Sequence, residues 1–303
     1  MRILLTGASS FTGAWFAREL TRAGHAVTAT FTAGPDAYDG LRRERIDRFT
    51  GECARVWNAP FGSPDFLELC GQGFDVLCHH GAYVTGYRND DFDYLKALSS
   101  NARNLPEALA ALAGGGLTRV VLTGSVFEAD EGAGHLPRQA FSPYGLSKTL
   151  TAEVFRFHCH RAGIALGKFV IPNPFGPYEE PRFTSYLVRT WARGETASVR
   201  TPAYVRDNIH VSLLSKLYAG FVAGQGEALG PSGYVETQGA FAQRFARAMQ
   251  DRLRLPCGLR LETQTDFHEP LVRLNTDSTN TAGLDWDENR SWDELAEYYR
   301  SLL

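Results

Sequence analysis

Apolar residues fall along this chain in two alternating rhythms. Arg2 to Thr6 is a short, nearly continuous apolar run, the pattern of a buried strand, and Thr6-Gly7 ends it in a turn. From Thr12 to Ala23 the spacing of Trp15, Phe16 and Leu20 is helical, and Gly24 supplies the stop. Residues 25–31, HAVTATF, alternate and are β-rich, so they predict a second strand. The rhythm repeats with a strand over 74–82, a helix over 92–113 ended by three glycines, and a strand over 119–125. A helix from about 145 to 162 and a strand over 166–171 complete the series. Near-continuous apolar strands alternating with helices predict an α/β fold, a doubly wound parallel sheet covered on both faces.

After residue 171 the pattern changes. Residues 172–181, PNPFGPYEEP, hold four of the fourteen prolines, and later segments are shorter and less regular. The expected organisation is a nucleotide-binding domain over 1–171 and a smaller substrate-binding lobe over 172–303, which lends elements back to the sheet. Composition then narrows the function classes. The formal net charge of −3 gives no global drive toward nucleic acid or an anionic membrane. No stretch approaches the roughly 20 apolar residues that span a bilayer. Residues 1–5 are too short for a signal-peptide core. Five cysteines, Cys53, Cys70, Cys78, Cys159 and Cys257, form no CxxC and suggest reduced thiols in a cytoplasmic protein. His79 and His80 are neighbours on a strand, point to opposite faces and have no third ligand, so no metal site is expected.

Two stretches carry chemistry. Gly7, Ser10 and Gly13 recur every third residue between the first strand and helix, where backbone N–H groups and a helix N-terminus cradle pyrophosphate. Serine takes the middle position, and its hydroxyl could donate to a phosphate oxygen. In 142–148, SPYGLSK, Tyr144 and Lys148 lie one helical turn apart on one face. A phenol with an ordinary pKa near 10 is a poor base at neutral pH, and a neighbouring ammonium lowers it toward the working range.

Together these residues resemble the extended short-chain dehydrogenase/reductase family, in particular its NAD(P)-dependent nucleotide-sugar epimerase/dehydratase branch. The likeness rests on TGxxxxxG from Thr6, a strand ending in Thr/Ser some 20 residues before YxxxK, and Asn101. It continues through VLCHHGA, PNPFGP and RDNIHV to the closing GLDWDENRSWDELAEYYR. It implies a Rossmann-like fold. The cofactor set it implies is Gly7, Ser10, Phe11, Thr12, Gly13, Thr30, Asn58 at the end of the third strand, Ala82, Asn101, Tyr144, Lys148 and Pro172. It implies Thr123 as the hydroxyl that holds the reacting sugar oxygen, with Ser125 as the alternative. Tyr83, Asn173 and Arg206 are the implied substrate contacts, Arg206 gripping the diphosphate.

Departures refine the expectation. Dehydratases of the family carry an Asp-Glu pair where this chain has Gly124-Ser125, which disfavours elimination of water. The second strand ends in Thr30-Phe31-Thr32 with no carboxylate for a ribose 2′-OH, which places NADP ahead of NAD, with Arg42 or Arg43 in reach of a 2′-phosphate. The first expectation is therefore epimerisation at a sugar carbon, C4, of a nucleotide sugar. An NADPH-dependent keto-sugar reductase comes second, and a non-catalytic dinucleotide-sensing regulator third. A stripe of Phe92, Leu95, Leu98, Leu105 and Leu109 resembles helices that the family pairs into a homodimer.

Overall fold

The structure is a computed structural model and describes all 303 residues. The chain forms two compact units. One comprises Met1–Glu131, Gln139–Ile171 and Ser215–Leu229, and the other Gly132–Arg138, Pro172–Leu214 and Gly230–Leu303.

The first unit is built on a sheet of seven parallel strands. Strands β1 (Arg2–Thr6), β2 (Ala26–Thr30), β3 (Ala54–Val56), β4 (Val76–His79) and β5 (Arg119–Ser125) are joined by Ala165–Ile171 and the short Ala228–Leu229. Their order across the sheet is Ala228–Leu229, Ala165–Ile171, β5, β4, β1, β2, β3. The order reverses beside β1, the switch point where a doubly wound sheet opens a ligand crevice at its carboxyl edge. Helices α1 (Phe11–Arg22), α2 (Gly40–Phe49), α3 (Pro64–Cys70), α4 (Tyr94–Asn101), α5 (Leu105–Gly114) and α6 (Pro143–Ala162) form the crossovers. On one face Leu77, Val120 and Leu122 of the sheet pack with Leu105, Leu109 and Phe155 of α5 and α6. On the other, Phe16 of α1 stacks on Tyr218 at 3.8 Å, and Phe169 meets Tyr218 edge-on. Burial on both faces explains why the strands read as unbroken apolar runs.

One element differs from expectation. The helix anticipated over 92–113 is two helices, α4 and α5, separated at Asn104 in the left-handed region with φ of 48°. Pro106 sits in the first turn of α5, where its missing N–H costs nothing, but within a continuous helix it would break the ladder. The apolar stripe breaks with it. Phe92, Leu105 and Leu109 are buried, whereas Leu95 on α4 is 60% exposed.

In the second unit Asn173–Phe175 pairs parallel with Val205–His210, which pairs antiparallel with Tyr234–Thr237. Its core gathers Phe175, Trp191, Phe241, Phe245, Trp292 and Leu295. The aromatic tail belongs to this packing: Trp292 and Tyr299 are buried, and the Trp286 indole N–H donates to Ser212 Oγ at 2.9 Å.

All five cysteines are free and buried, and burial raises each thiol, Cys53 and Cys257 to about 11 and the other three to about 12. No helix is long and apolar enough to cross a membrane.

Candidate active site

The turn after β1 is made by glycine chemistry. Gly7 has φ of 79°, and a Cβ there would lie 2.7 Å from the Gly81 backbone nitrogen. A Cβ on Gly13 would run into the Gly7 carbonyl and come within 2.8 Å of the His80 ring, so only glycine lets α1 approach the sheet this closely. Phe11 and Thr12 open α1, whose first turn follows the carboxyl end of β1 by four residues. These features fit a dinucleotide pyrophosphate. Ser10 serves the turn itself: its hydroxyl donates to the Gly7 carbonyl at 2.8 Å and accepts from the Gly13 N–H at 3.2 Å, capping α1. The hydroxyl that was expected to face a phosphate is thus turned inward.

The two histidines at the end of β4 are brackets on opposite faces. His80 Nε2 lies 3.1 Å from Ser10 Oγ and 3.0 Å from Thr12 Oγ1, tying the turn to β4. His79 Nδ1 meets Thr6 Oγ1 at 3.2 Å, and its Nε2 meets the Asn101 carbonyl at 3.1 Å. Burial, aided by the charge of Lys148, lowers both rings to about 3 and keeps them neutral. Asn101 is itself buried: its Oδ1 accepts from the Tyr83 N–H at 2.8 Å and its Nδ2 donates to Thr151 Oγ1 at 3.2 Å. It fixes the segment holding Ala82 and Tyr83 rather than facing solvent. Thr30 is buried at the end of β2. Asn58 lies two residues beyond β3, which ends at Val56, and is exposed in the left-handed region with φ of 57°.

Helix α6 begins where its sequence demands. Ser142 caps it by accepting the Gly145 N–H at 3.1 Å, and Pro143 takes the first turn. The helix presents Tyr144 and Lys148 one turn apart. Lys148 is buried and donates to the Thr123 carbonyl of β5 at 2.6 Å. Desolvation lowers its pKa, while the Glu128 carboxylate opposes that shift. The Tyr144 ring lies 5.2 Å from that of Tyr87 and 6.2 Å from that of Phe92. Tyr87 and Phe92 wall the phenol; no motif marks Tyr87, and the apolar spacing that singles out Phe92 points to helix packing rather than to the site.

The two candidate hydroxyls on β5 differ in access. Thr123 is 3% exposed, and its Oγ1 is sealed against the Tyr218 hydroxyl. Ser125 ends the strand half-buried and accepts the Phe127 N–H at 3.2 Å.

Pro172, Asn173 and Arg206 belong to the second unit. Arg206 is buried; it bonds Glu269 at 2.9 Å and the carbonyls of Val205, Pro270 and Leu271, and stacks on Tyr204. Asp207, its neighbour, faces the other way and accepts from the Gly233 and Asn275 N–H groups.

A doubly wound parallel sheet, a glycine turn feeding α1, and a Tyr–Lys helix pressed on the fifth strand define a dinucleotide-dependent enzyme of the short-chain dehydrogenase/reductase class. The chain belongs to the NAD-dependent epimerase/dehydratase family, whose model matches residues 3–217. Among solved structures it resembles UDP-glucuronic acid 4-epimerase from Bacillus cereus, bound to UDP-glucuronic acid and NAD, with a TM-score of 0.76, 14% identity and 100% of each chain covered. UDP-N-acetylglucosamine 4-epimerase from Methanobrevibacter ruminantium gives 0.75 at 15% identity, covering 100% of this chain and 99% of that one. The dTDP-glucose 4,6-dehydratase of Streptomyces venezuelae gives 0.72 at 18% identity, covering 99% and 97%. At such identities the likeness concerns the fold. No curated protein matched by sequence.

Proposed function

We propose that this protein interconverts epimers at C4 of a nucleotide sugar, with a nicotinamide dinucleotide resident in the cleft. The observation that carries the reading is the buried Lys148 ammonium, held on β5 one helical turn from Tyr144. The dinucleotide, when bound, supplies reversible hydride chemistry. The residues of this chain handle the proton and the orientation. Tyr144, its phenolate favoured by the Lys148 charge, takes the proton of the sugar hydroxyl and returns it to the opposite epimer. The reading gives the sugar oxygen to Ser125, which is half-buried rather than sealed, and gives Thr123 the carbonyl that holds Lys148. The nucleotide sugars bound by the structural neighbours support this substrate class. Asn173 and Arg206 are the proposed substrate contacts, with Arg206 exchanging Glu269 for a diphosphate, a bidentate partner of the same charge sign.

The test is Tyr144→Phe assayed with UDP-sugars. Turnover falls by about 10²–10⁴-fold, while the copurifying cofactor, read by mass spectrometry, is retained. Undiminished turnover overturns the mechanism.

One observation favours a second reading, an NADPH-dependent keto-sugar reductase. The end of β2 offers no carboxylate, and Arg45 is buried with its guanidinium 5.8 Å from the Phe11 ring at the start of α1. Arg43, by contrast, is engaged by Asp47 at 2.7 Å. Stoichiometric NADPH consumption selects this reading over epimerisation.

The reading includes a homodimer and a cytoplasmic setting. Leu95 of α4 and Leu146 and Phe157 of α6 are exposed apolar residues on packed neighbouring helices, a surface suited to a second copy. Five buried free thiols suit a reducing compartment.

A further inference from the structure

The structure assigns a positioning role to Glu128: clamped by Lys168 and the Ser125 N–H, its carboxylate fixes the end of β5 and keeps the Lys148 ammonium charged. Glu128 is 1% exposed. Its Oε1 accepts the Ser125 N–H at 2.7 Å, and its Oε2 pairs with Lys168 Nζ at 2.5 Å. Lys168, on the strand Ala165–Ile171, also pairs with Glu131. Lys148 holds the Thr123 carbonyl while Glu128 holds the Ser125 amide, so the two grip the same strand end two residues apart. Between them is Gly124, and a Cβ there would lie 2.7 Å from Lys168 Cε and 3.1 Å from Glu128 Oε1. The carboxylate of Glu128 therefore fills space that a side chain at 124 would need.

A buried ammonium loses its proton readily unless an anion is near. The charged and titratable groups around Lys148 are Tyr144 on its own helix, Glu128 from the loop after β5, Lys168 from the adjoining strand, and the neutral His79 and His80 of β4. Among them Glu128 is the anion that opposes desolvation, and its ion pair with Lys168 holds the carboxylate in place.

The place of Glu128 in catalysis rests on the function proposed above; the charge coupling does not. The experiment is therefore a lysine side-chain NMR titration of the protein without substrate, the Lys148 signal being identified by its loss in Lys148→Met. In Glu128→Gln the Lys148 midpoint falls by about one pH unit, a tenfold loss of proton affinity, and Glu128→Asp restores it. Should Glu128→Gln not fold, Glu128→Gln/Lys168→Met removes both charges of this pair, leaving only the partly exposed Glu131 without its lysine, and lowers the midpoint in the same direction, by less. An unmoved midpoint in whichever of these folds overturns the inference. If the midpoint moves but the wild type turns over no nucleotide sugar, the coupling stands and the proposed function falls. Where turnover is measured, the alkaline limb of kcat moves to lower pH together with the midpoint.

Discussion

Thr123 and Ser125 stand two residues apart on one strand, and a residue motif cannot tell which of them serves the substrate. Resemblance puts Thr123 first, whereas burial favours Ser125, because a hydroxyl sealed beneath Tyr218 cannot reach a ligand without rearrangement. Valine keeps the shape of threonine, and the Thr123 hydroxyl makes no well-formed hydrogen bond whose loss would cost more than a typical net value of about 1 kcal/mol. Thr123→Val should therefore fold with an unfolding free energy within about 1 kcal/mol of wild type, which makes its activity interpretable. Ser125→Ala should lose about 100-fold in kcat, the usual effect of removing one oxygen-stabilising donor, while Thr123→Val retains most of its rate. Steady-state kinetics of both variants with one UDP-sugar check this, and the reverse ranking returns the role to Thr123. At this scale the sequence disclosed Tyr144, Lys148 and the glycine turn, because each is a residue type at a fixed local spacing. It did not disclose Glu128 with Lys168, or Glu269 with Arg206, since those partners lie 40 and 63 positions apart and meet only in the fold.

Elements were legible where period and punctuation agreed. The strands β1, β2, β4 and β5 and helices α1 and α6 follow from apolar runs, helical spacing and glycine stops, and they carry the glycine turn and the Tyr–Lys pair. The split between α4 and α5 was missed because apolar spacing persists across 102–104 while the backbone does not, Pro106 and Asn104 outweighing the period. The N-terminus of α6 shows the same lesson from the other side. Its start lies two residues before the expected 145, at a Ser-Pro pair that the apolar period does not register. The Ser142 cap satisfies a backbone N–H that helix geometry leaves without a partner. Ser142→Ala should cost about 1 kcal/mol of unfolding free energy, measured by urea denaturation. It should also lower kcat more than it raises KM, because the frayed turn carries Tyr144. A loss of stability with kcat intact would separate the cap from the site.

For the whole molecule, the two neutral histidines at the end of β4 make stability depend on pH. Each folded-state value, about 3, lies below the ordinary histidine value near 6.5. Between those limits the unfolded chain binds protons that the folded chain refuses, so stability rises with pH across the window and is fully present above 6.5. Each histidine contributes a slope of up to about 1.4 kcal/mol per pH unit. The protein should therefore lose urea resistance steadily from pH 6.5 toward pH 4, faster than its exposed carboxylates alone would cause. His80→Gln removes one titrating ring and should flatten the slope by up to one proton, even though losing the bracket to Ser10 and Thr12 lowers stability at every pH. The slope is thus the decisive quantity, because a purely structural loss displaces the curve without changing its gradient. An unchanged gradient in His80→Gln would mean that the ring is already protonated in the folded protein, and the bracket between β4 and the glycine turn would then have to carry a charge beside Lys148.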